Sequence, residues 1–372
     1  MNSEMITQAL REVEESDKAL AAAFERRLDA IKVIAEYRRE HGIPVPAEPD
    51  GGERAQELSV GITDAEKRPY YMSFFQGALS ASEKYHRRIM QGVRVAYTGV
   101  KGAFANIAAS RIFPEGEMVS YPDFAASYTA VERGECDCAV LPIENSYAGE
   151  VGQVIELMFS GKLYIGGVYS LRVKHNLLGL RGATPSGVKK VVSHPQALHQ
   201  CAPYIQAHGY ECIQETNTAV AAQRVAEGGD PTVAAIASAE TAKLYGLEVL
   251  DHDINESGDN TTRFAVFSRT PNIDEDHRDR SRFLLMFILQ NVPGALASAI
   301  NVISSYGFNM KVIRSRPIKE PAWEYYFYVE AEGDEESENG RRMISELRQH
   351  CRVLKVVGHY SDDIRLGASS II

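Results

Sequence analysis

Three short runs hold polar side chains of types that can meet a ligand. Leu141-Pro142-Ile143-Glu144-Asn145-Ser146 ends an apolar run in three polar side chains. In an open α/β sheet the ligand crevice lies at the carboxyl end of such a strand. Glu144, Asn145 and Ser146 can therefore face a substrate; equally, Asn145 and Ser146 can cap a following helix around 154–159. Ser193-His194-Pro195-Gln196-Ala197-Leu198-His199-Gln200-Cys201 follows a strand, and Pro195 suits a first helical turn. Free N–H groups at that turn suit a carboxylate, while His194 reads as a structural histidine rather than a base. Asn260-Thr261-Thr262-Arg263-Phe264 opens another strand with two hydroxyls and a fixed cation, a set suited to a carboxylate or to a surface ion pair.

Other candidates are weaker. Gly99-Val100-Lys101-Gly102 is a glycine turn between strand and helix, and alone is no dinucleotide fingerprint. Cys136-Asp-Cys138 has no second Cys/His pair at ligand spacing, so no metal is expected. Walker, H-E-x-x-H and G-x-S-x-G patterns are absent, and no cofactor is expected. Near the N-terminus, Arg27 and Arg38 are 11 residues apart, about three helical turns, and share a face. Arg11 lies 16 residues before Arg27, on roughly the opposite face. One anion meeting all three would need Arg11 from a second chain; otherwise they are a solvated charged face.

These residues must be positioned by three kinds of segment. Apolar residues at Ile6, Leu10, Val13, Leu20, Phe24, Leu28, Ile31 and Ile34 predict one helix over 4–41, stopped by Gly42 and Pro44. At ~1.5 Å per residue it is longer than a small domain is wide, so it needs a partner along its length, and a dimeric bundle is its natural home. Residues 43–64 begin as a loop and 65–90 are helical again. From 93 onward, short buried strands over 93–97, 138–141, 164–169, 190–192, 211–213, 233–236 and 264–267 alternate with helices, which predicts an α/β sheet. A charged linker over 271–281 precedes a β-α-β-β-α-β order, the ferredoxin-like split unit.

The 372 residues carry 40 Lys+Arg against 50 Asp+Glu, a net charge of −10, which argues against a nucleic-acid partner. No apolar stretch approaches ~18 residues, so no membrane span is expected. Five scattered cysteines fit a reducing, cytoplasmic setting.

The motifs, in this order, resemble those of the bifunctional chorismate mutase–prephenate dehydratase family. Residues 141–146 are similar to its V-P-I-E-N-S/T, 193–201 to its S-H-P-Q-A-L-x-Q-C, and 261–264 to its T-R-F. The resemblance covers nearly the whole chain, most strongly 92–270. It implies a multidomain protein: an all-α helical dimer domain over 1–91, a two-lobed α/β periplasmic-binding-like dehydratase domain over 92–270, and an α+β ferredoxin-like ACT domain over 282–362. It implies that prephenate loses CO2 and water to give phenylpyruvate, in phenylalanine biosynthesis. Thr262 would be the catalytic hydroxyl, with Glu144 and Gln200 beside it. Glu144 would supply a proton only if burial raises its pKa. Asn145, Ser146, Ser193 and Arg263 would bind substrate.

For the N-terminal segment the resemblance implies chorismate binding by Arg11, Arg27, Arg38, Ser82 and His86. Arg38 stands where Lys is usual, and His86 where Gln is usual. Gly294-Ala295-Leu296 resembles the G-A-L of ACT domains, and Arg314-Ser315-Arg316-Pro317 their E-S-R-P. With Asn291 these would form a phenylalanine effector site. Glu150 stands where the dehydratase pattern has Ser, and Arg314 reverses the charge of the first E-S-R-P residue. A homodimer or homotetramer is expected. Two rival readings are a dehydratase whose helical segment only dimerises, and a non-catalytic metabolite sensor.

Overall fold

A computed structural model of the chain describes residues 3–40, 51–256, 258–271, 281–318, 324–361 and 364–367. The chain divides into two compact units, 1–93 and 94–372. No described helix is long and apolar enough to cross a membrane.

The first unit holds three helices, Ser3–Glu40, Gly51–Ser59 and Arg68–Gln91. The second of these falls where the spacing predicted a loop; two glycines open it, and the loop residues before it lie outside the described residues. The later part of Ser3–Glu40 packs on Arg68–Gln91, with Ala35 fully buried. Its first half carries Met5, Ile6, Leu10, Val13 and Leu20 on the surface of this single chain.

The second unit contains three sheets. The first runs Ile364–Leu366, Tyr164–Arg172, Thr261–Ser268, Cys138–Asn145, Arg94–Thr98, Glu117–Tyr121, with Gly149–Glu150 hairpinned onto Cys138–Asn145. The second runs Glu248–Asp251, Asn176–Gly179, Val233–Ala237, Lys190–Ser193, Glu211–Gln214. The chain passes between these two lobes twice, after Arg172 and again before Thr261, so the crossing strands sit side by side. Strands Glu117–Tyr121, Asn176–Gly179 and Glu248–Asp251 are additional to those the apolar pattern predicted.

Helix Thr218–Gly228 shows why the second lobe packs tightly. Asn217 caps it, accepting from Ala219 N and Val220 N, and alanines at 219, 221 and 222 let it approach the sheet.

The third sheet is antiparallel throughout, in the order Asn309–Pro317, Tyr325–Glu332, Ser281–Leu289, Cys351–Ser361, with helices Ala295–Ser305 and Glu338–His350. This is the ferredoxin-like β-α-β-β-α-β topology. Residues 272–280 of the expected linker lie outside the described residues.

Both faces of this sheet are used. Phe283, Leu285, Phe287, Val329 and Ala331 pack on its helices. Leu284, Met286, Ile288, Tyr326 and Tyr328 join the core of the first lobe with Leu141, Ile143, Ile165 and Phe267. Gly358 is required there: its φ is +144°, and a Cβ would lie 2.4 Å from the Ile165 carbonyl oxygen.

Candidate active site

The strand pair Cys138–Asn145 and Thr261–Ser268 decides which motif residues meet. Thr262 pairs with Asn145 and Arg263 with Glu144, but Phe264 pairs with Pro142, leaving Ile143 as a bulge. Side chains alternate across a strand, so Thr262 and Asn145 share one face, and Arg263 and Glu144 share the other.

On the first face a polar cluster forms from both lobes. Asn145 Nδ2 donates to Thr262 Oγ1 (2.9 Å) and to Asn260 Oδ1 (2.8 Å). Its Oδ1 accepts from Tyr147 N and Ala148 N, which fixes the amide's orientation. Asn260 Nδ2 donates to Gln200 Oε1 (3.0 Å), which also lies 2.9 Å from His175 Nε2. Gln200 Oε1 is an acceptor only, so His175 must carry its proton on Nε2. Burial lowers the His175 pKa, with Gln200 opposing, so the ring is neutral at pH 7.

Two polar groups in this cluster are unsatisfied. Gln200 Nε2 and His175 Nδ1 are buried with no hydrogen-bond partner among the described residues. Buried polar groups are rarely left so. Thr262 Oγ1 accepts from Asn145, so its own proton remains available to a ligand. The cluster thus presents amide and hydroxyl donors and one imidazole acceptor, a set that can hold an oxygen leaving group by hydrogen bonds. Phe104 stands edge-on to His175 at 5.7 Å.

Phe104 also lines a cavity of about 1230 Å³ between the lobes, with Arg172, Lys174, Ser238 and Thr261. The lobes touch where Thr241 Oγ1 donates to the Gly102 carbonyl (2.9 Å).

The opposite face corrects two expectations. Arg263 makes a bidentate pair with Glu330 of the third sheet (3.1 and 3.0 Å) and a 3.1 Å bond to Glu144. Glu144 also pairs with Arg314. Neither Glu144 nor Arg263 joins Thr262, because alternation turns both toward the third sheet. Burial pushes the Glu330 pKa up, but Arg263, Tyr328 and Tyr360 outweigh it and hold the carboxyl below its usual range.

Ser193 is a third correction. It is fully buried and donates to the Ile236 carbonyl (2.6 Å), tying two strands of the second lobe rather than facing the cluster. Ser146 receives Thr261 N (3.0 Å) and bonds the Asp259 carbonyl, joining the lobe crossing to the hairpin. His194 caps its helix through Nδ1. His175 was missed by sequence reasoning: it sits in no motif, and the fold of the second lobe brings it to Gln200.

In the first unit Arg27 Nε donates to Ser82 Oγ (2.9 Å). Burial lowers the His86 pKa, and Arg38 lowers it further against Glu83. Arg27, Arg38, Ser82 and His86 are thus gathered in one chain; Arg11, on the exposed first half of the long helix, is about 24 Å along from Arg27.

In the third sheet a cavity of about 460 Å³ is lined by Asn291, Ala295, Leu296, Ser315, Phe327 and Arg352, among others. Gly294 caps the adjoining helix in the left-handed conformation. Arg314 and Arg316 face the other way and do not line it, and neither does Pro317. The charge reversal at Arg314 therefore lies outside this cavity.

The family model described as prephenate dehydratase matches residues 95–272. Arogenate dehydratase/prephenate dehydratase 2 of Arabidopsis thaliana, a chloroplastic protein, is 34% identical over 323 residues, covering 84% of this chain and 83% of that protein. The bifunctional chorismate mutase/prephenate dehydratase of Aquifex aeolicus is 29% identical over 376 residues, 96% of this chain and 98% of its own. A solved prephenate dehydratase from Arthrobacter aurescens, in complex with L-Phe, matches with a TM-score of 0.67 at 25% identity, over 72% of this chain and 90% of that one.

Proposed function

The chain belongs to the prephenate dehydratase family, and we propose that it converts prephenate to phenylpyruvate at the Thr262 cluster. The observation that carries this is the Asn145–Thr262 bond, which orients the hydroxyl proton outward beside the unsatisfied Gln200 amide. In the reaction the bond to the ring carboxylate breaks and releases CO2. Its electron pair moves through the ring and expels the 4-hydroxyl, which takes up a proton from solvent and leaves as water. Threonine is too weak an acid to ionise at pH 7; Thr262 instead donates a hydrogen bond that strengthens as charge grows on the leaving oxygen. Gln200 Nε2 adds a second donor. Arg172 and Lys174 line the inter-lobe cavity, Arg172 donating to the Gly258 carbonyl and Lys174 paired with Asp253, and a substrate carboxylate would compete for these cations.

The N-terminal unit is read as a chorismate mutase domain, supported by the gathering of Arg27, Arg38, Ser82 and His86 and by the full-length likeness to a bifunctional relative. The exposed apolar stripe of Ser3–Glu40 supports a homodimer or larger assembly in which Arg11 comes from a second chain. The third sheet is read as an ACT domain whose cavity takes phenylalanine as effector; the L-Phe complex of a relative supports this. Five cysteines scattered through a chain of 372 residues fit a reducing, cytoplasmic setting.

The test is a two-substrate assay of the full chain, following phenylpyruvate from prephenate and, separately, from chorismate. Product from both is expected. Product from prephenate alone would leave the helices as a dimerisation arm, and product from neither would favour the sensor reading.

A further inference from the structure

Glu144 and Glu150 stand directly opposite each other in the hairpin formed by Cys138–Asn145 and Gly149–Glu150. Like charges facing across an antiparallel pair repel and open it. This hairpin carries Asn145 and the 146–148 turn, whose N–H groups fix the Asn145 amide. Repulsion here would splay the residue that orients the Thr262 hydroxyl.

One side chain bridges both carboxylates. Arg314, on strand Asn309–Pro317 of the third sheet, places Nη2 on Glu144 and Nη1 on Glu150 Oε1 at 2.9 Å. Arg316 adds Nε to Glu150 Oε2 at 2.7 Å, and Arg263 takes the other oxygen of Glu144. Three arginines thus neutralise Glu144, Glu150 and Glu330 at a half-buried junction where ion pairs are less screened than at the surface. Two departures from the family pattern, Glu150 for Ser and Arg314 for Glu, are partners in one ion pair.

We propose that Arg314 is a positioning residue for the dehydratase reaction: by clamping Glu144 to Glu150 it holds the hairpin closed and so keeps Asn145 aimed at Thr262. It touches no substrate and acts only through the hairpin. The proposal rests on the reading of the Thr262 cluster as the dehydratase site.

Prephenate kinetics of the full chain and three variants test it. Arg314→Gln should lower kcat about 10-fold while KM moves less than about 2-fold, since misorienting a donor weakens the transition state more than the ground state. Arg314→Glu, which gathers three carboxylates, should lower kcat at least about 30-fold. The charge swap Glu150→Arg with Arg314→Glu should recover kcat to within about 3-fold of the unmodified chain. Amide hydrogen exchange of residues 145–148 should rise in both single variants and fall back in the swap; it needs no turnover.

Unchanged kcat and exchange in Arg314→Gln would overturn the proposal. So would a lowered melting temperature with kcat intact, which marks a merely structural contact, or failure of the swap to restore exchange. An unmodified chain that does not dehydrate prephenate overturns the underlying reading instead, and is seen before any variant is examined.

Discussion

A threonine hydroxyl has one proton and two lone pairs, and its use to a departing oxygen depends on where that proton points. At Thr262 the Asn145 amide takes a lone pair from below, and Asn145 is itself held by two backbone N–H groups. Replacing Asn145 by Ala should therefore cost nearly as much kcat as losing the hydroxyl, with little change in KM; a rise in KM alone would mean Asn145 binds substrate rather than orienting Thr262. Gln200 is held the same way by His175, whose neutral ring must donate from Nε2. Of these residues, Thr262, Asn145 and Gln200 were legible as motif members. His175 was not, because it sits in no motif and its partner Gln200 is 25 residues further along the second lobe.

At the scale of elements, adjacency in a motif proves a poor guide to adjacency in space. Glu144 and Asn145 are chain neighbours, yet one faces the third sheet and the other the cluster, with the bulge at Ile143 setting which is which. The same parity separates Arg263 from Thr262, and Arg314 and Arg316 from Ser315. The alternation itself is elementary; the bulge that fixes its phase leaves no mark in the residue types. The third sheet was legible as a β-α-β-β-α-β order, but its docking face was not. Gly358 tests that docking: Gly358→Ala forces a Cβ onto the Ile165 carbonyl oxygen and strains a positive φ, and should lower the melting temperature by several degrees. An unchanged melting temperature would place the sheets farther apart than described. The cavity behind Ser315 is tested by phenylalanine, which should raise the melting temperature of the unmodified chain; Ala295→Trp, filling the cavity, should abolish that rise.

For the whole molecule, buried ionisable groups set an acid limit. His86, His175 and His194 all have pKa values lowered by burial from 6.5. The unfolded chain then binds more protons than the folded one, so stability is full above about pH 6.5 and declines as pH falls toward the folded values. Glu330 has the opposite kind of group but the same sign: its folded pKa is below 4.5, so its contribution is present above about pH 4.5 and lost as pH falls through the folded value. Melting temperature against pH should therefore fall in two stages, and Glu330→Gln should flatten the second. Removing the carboxylate leaves Arg263 without its bidentate partner, so Glu330→Ala should cost about 3–5 kcal/mol at pH 7. A single stage near pH 4 would show that the histidines are not held neutral. On the proposed mutase reading of the first unit, Arg27→Ala should abolish phenylpyruvate formation from chorismate and leave formation from prephenate intact.

The proposed role of Thr262 is to donate an oriented hydrogen bond to the oxygen that leaves. It is tested most directly by prephenate turnover of Thr262→Val beside Thr262→Ser. Valine keeps the shape and removes the donor; kcat should fall about 10²–10³-fold with the fold intact, as for loss of one preorganised donor, while serine should retain most of the rate. A valine variant that turns over prephenate at the unmodified rate would contradict the account.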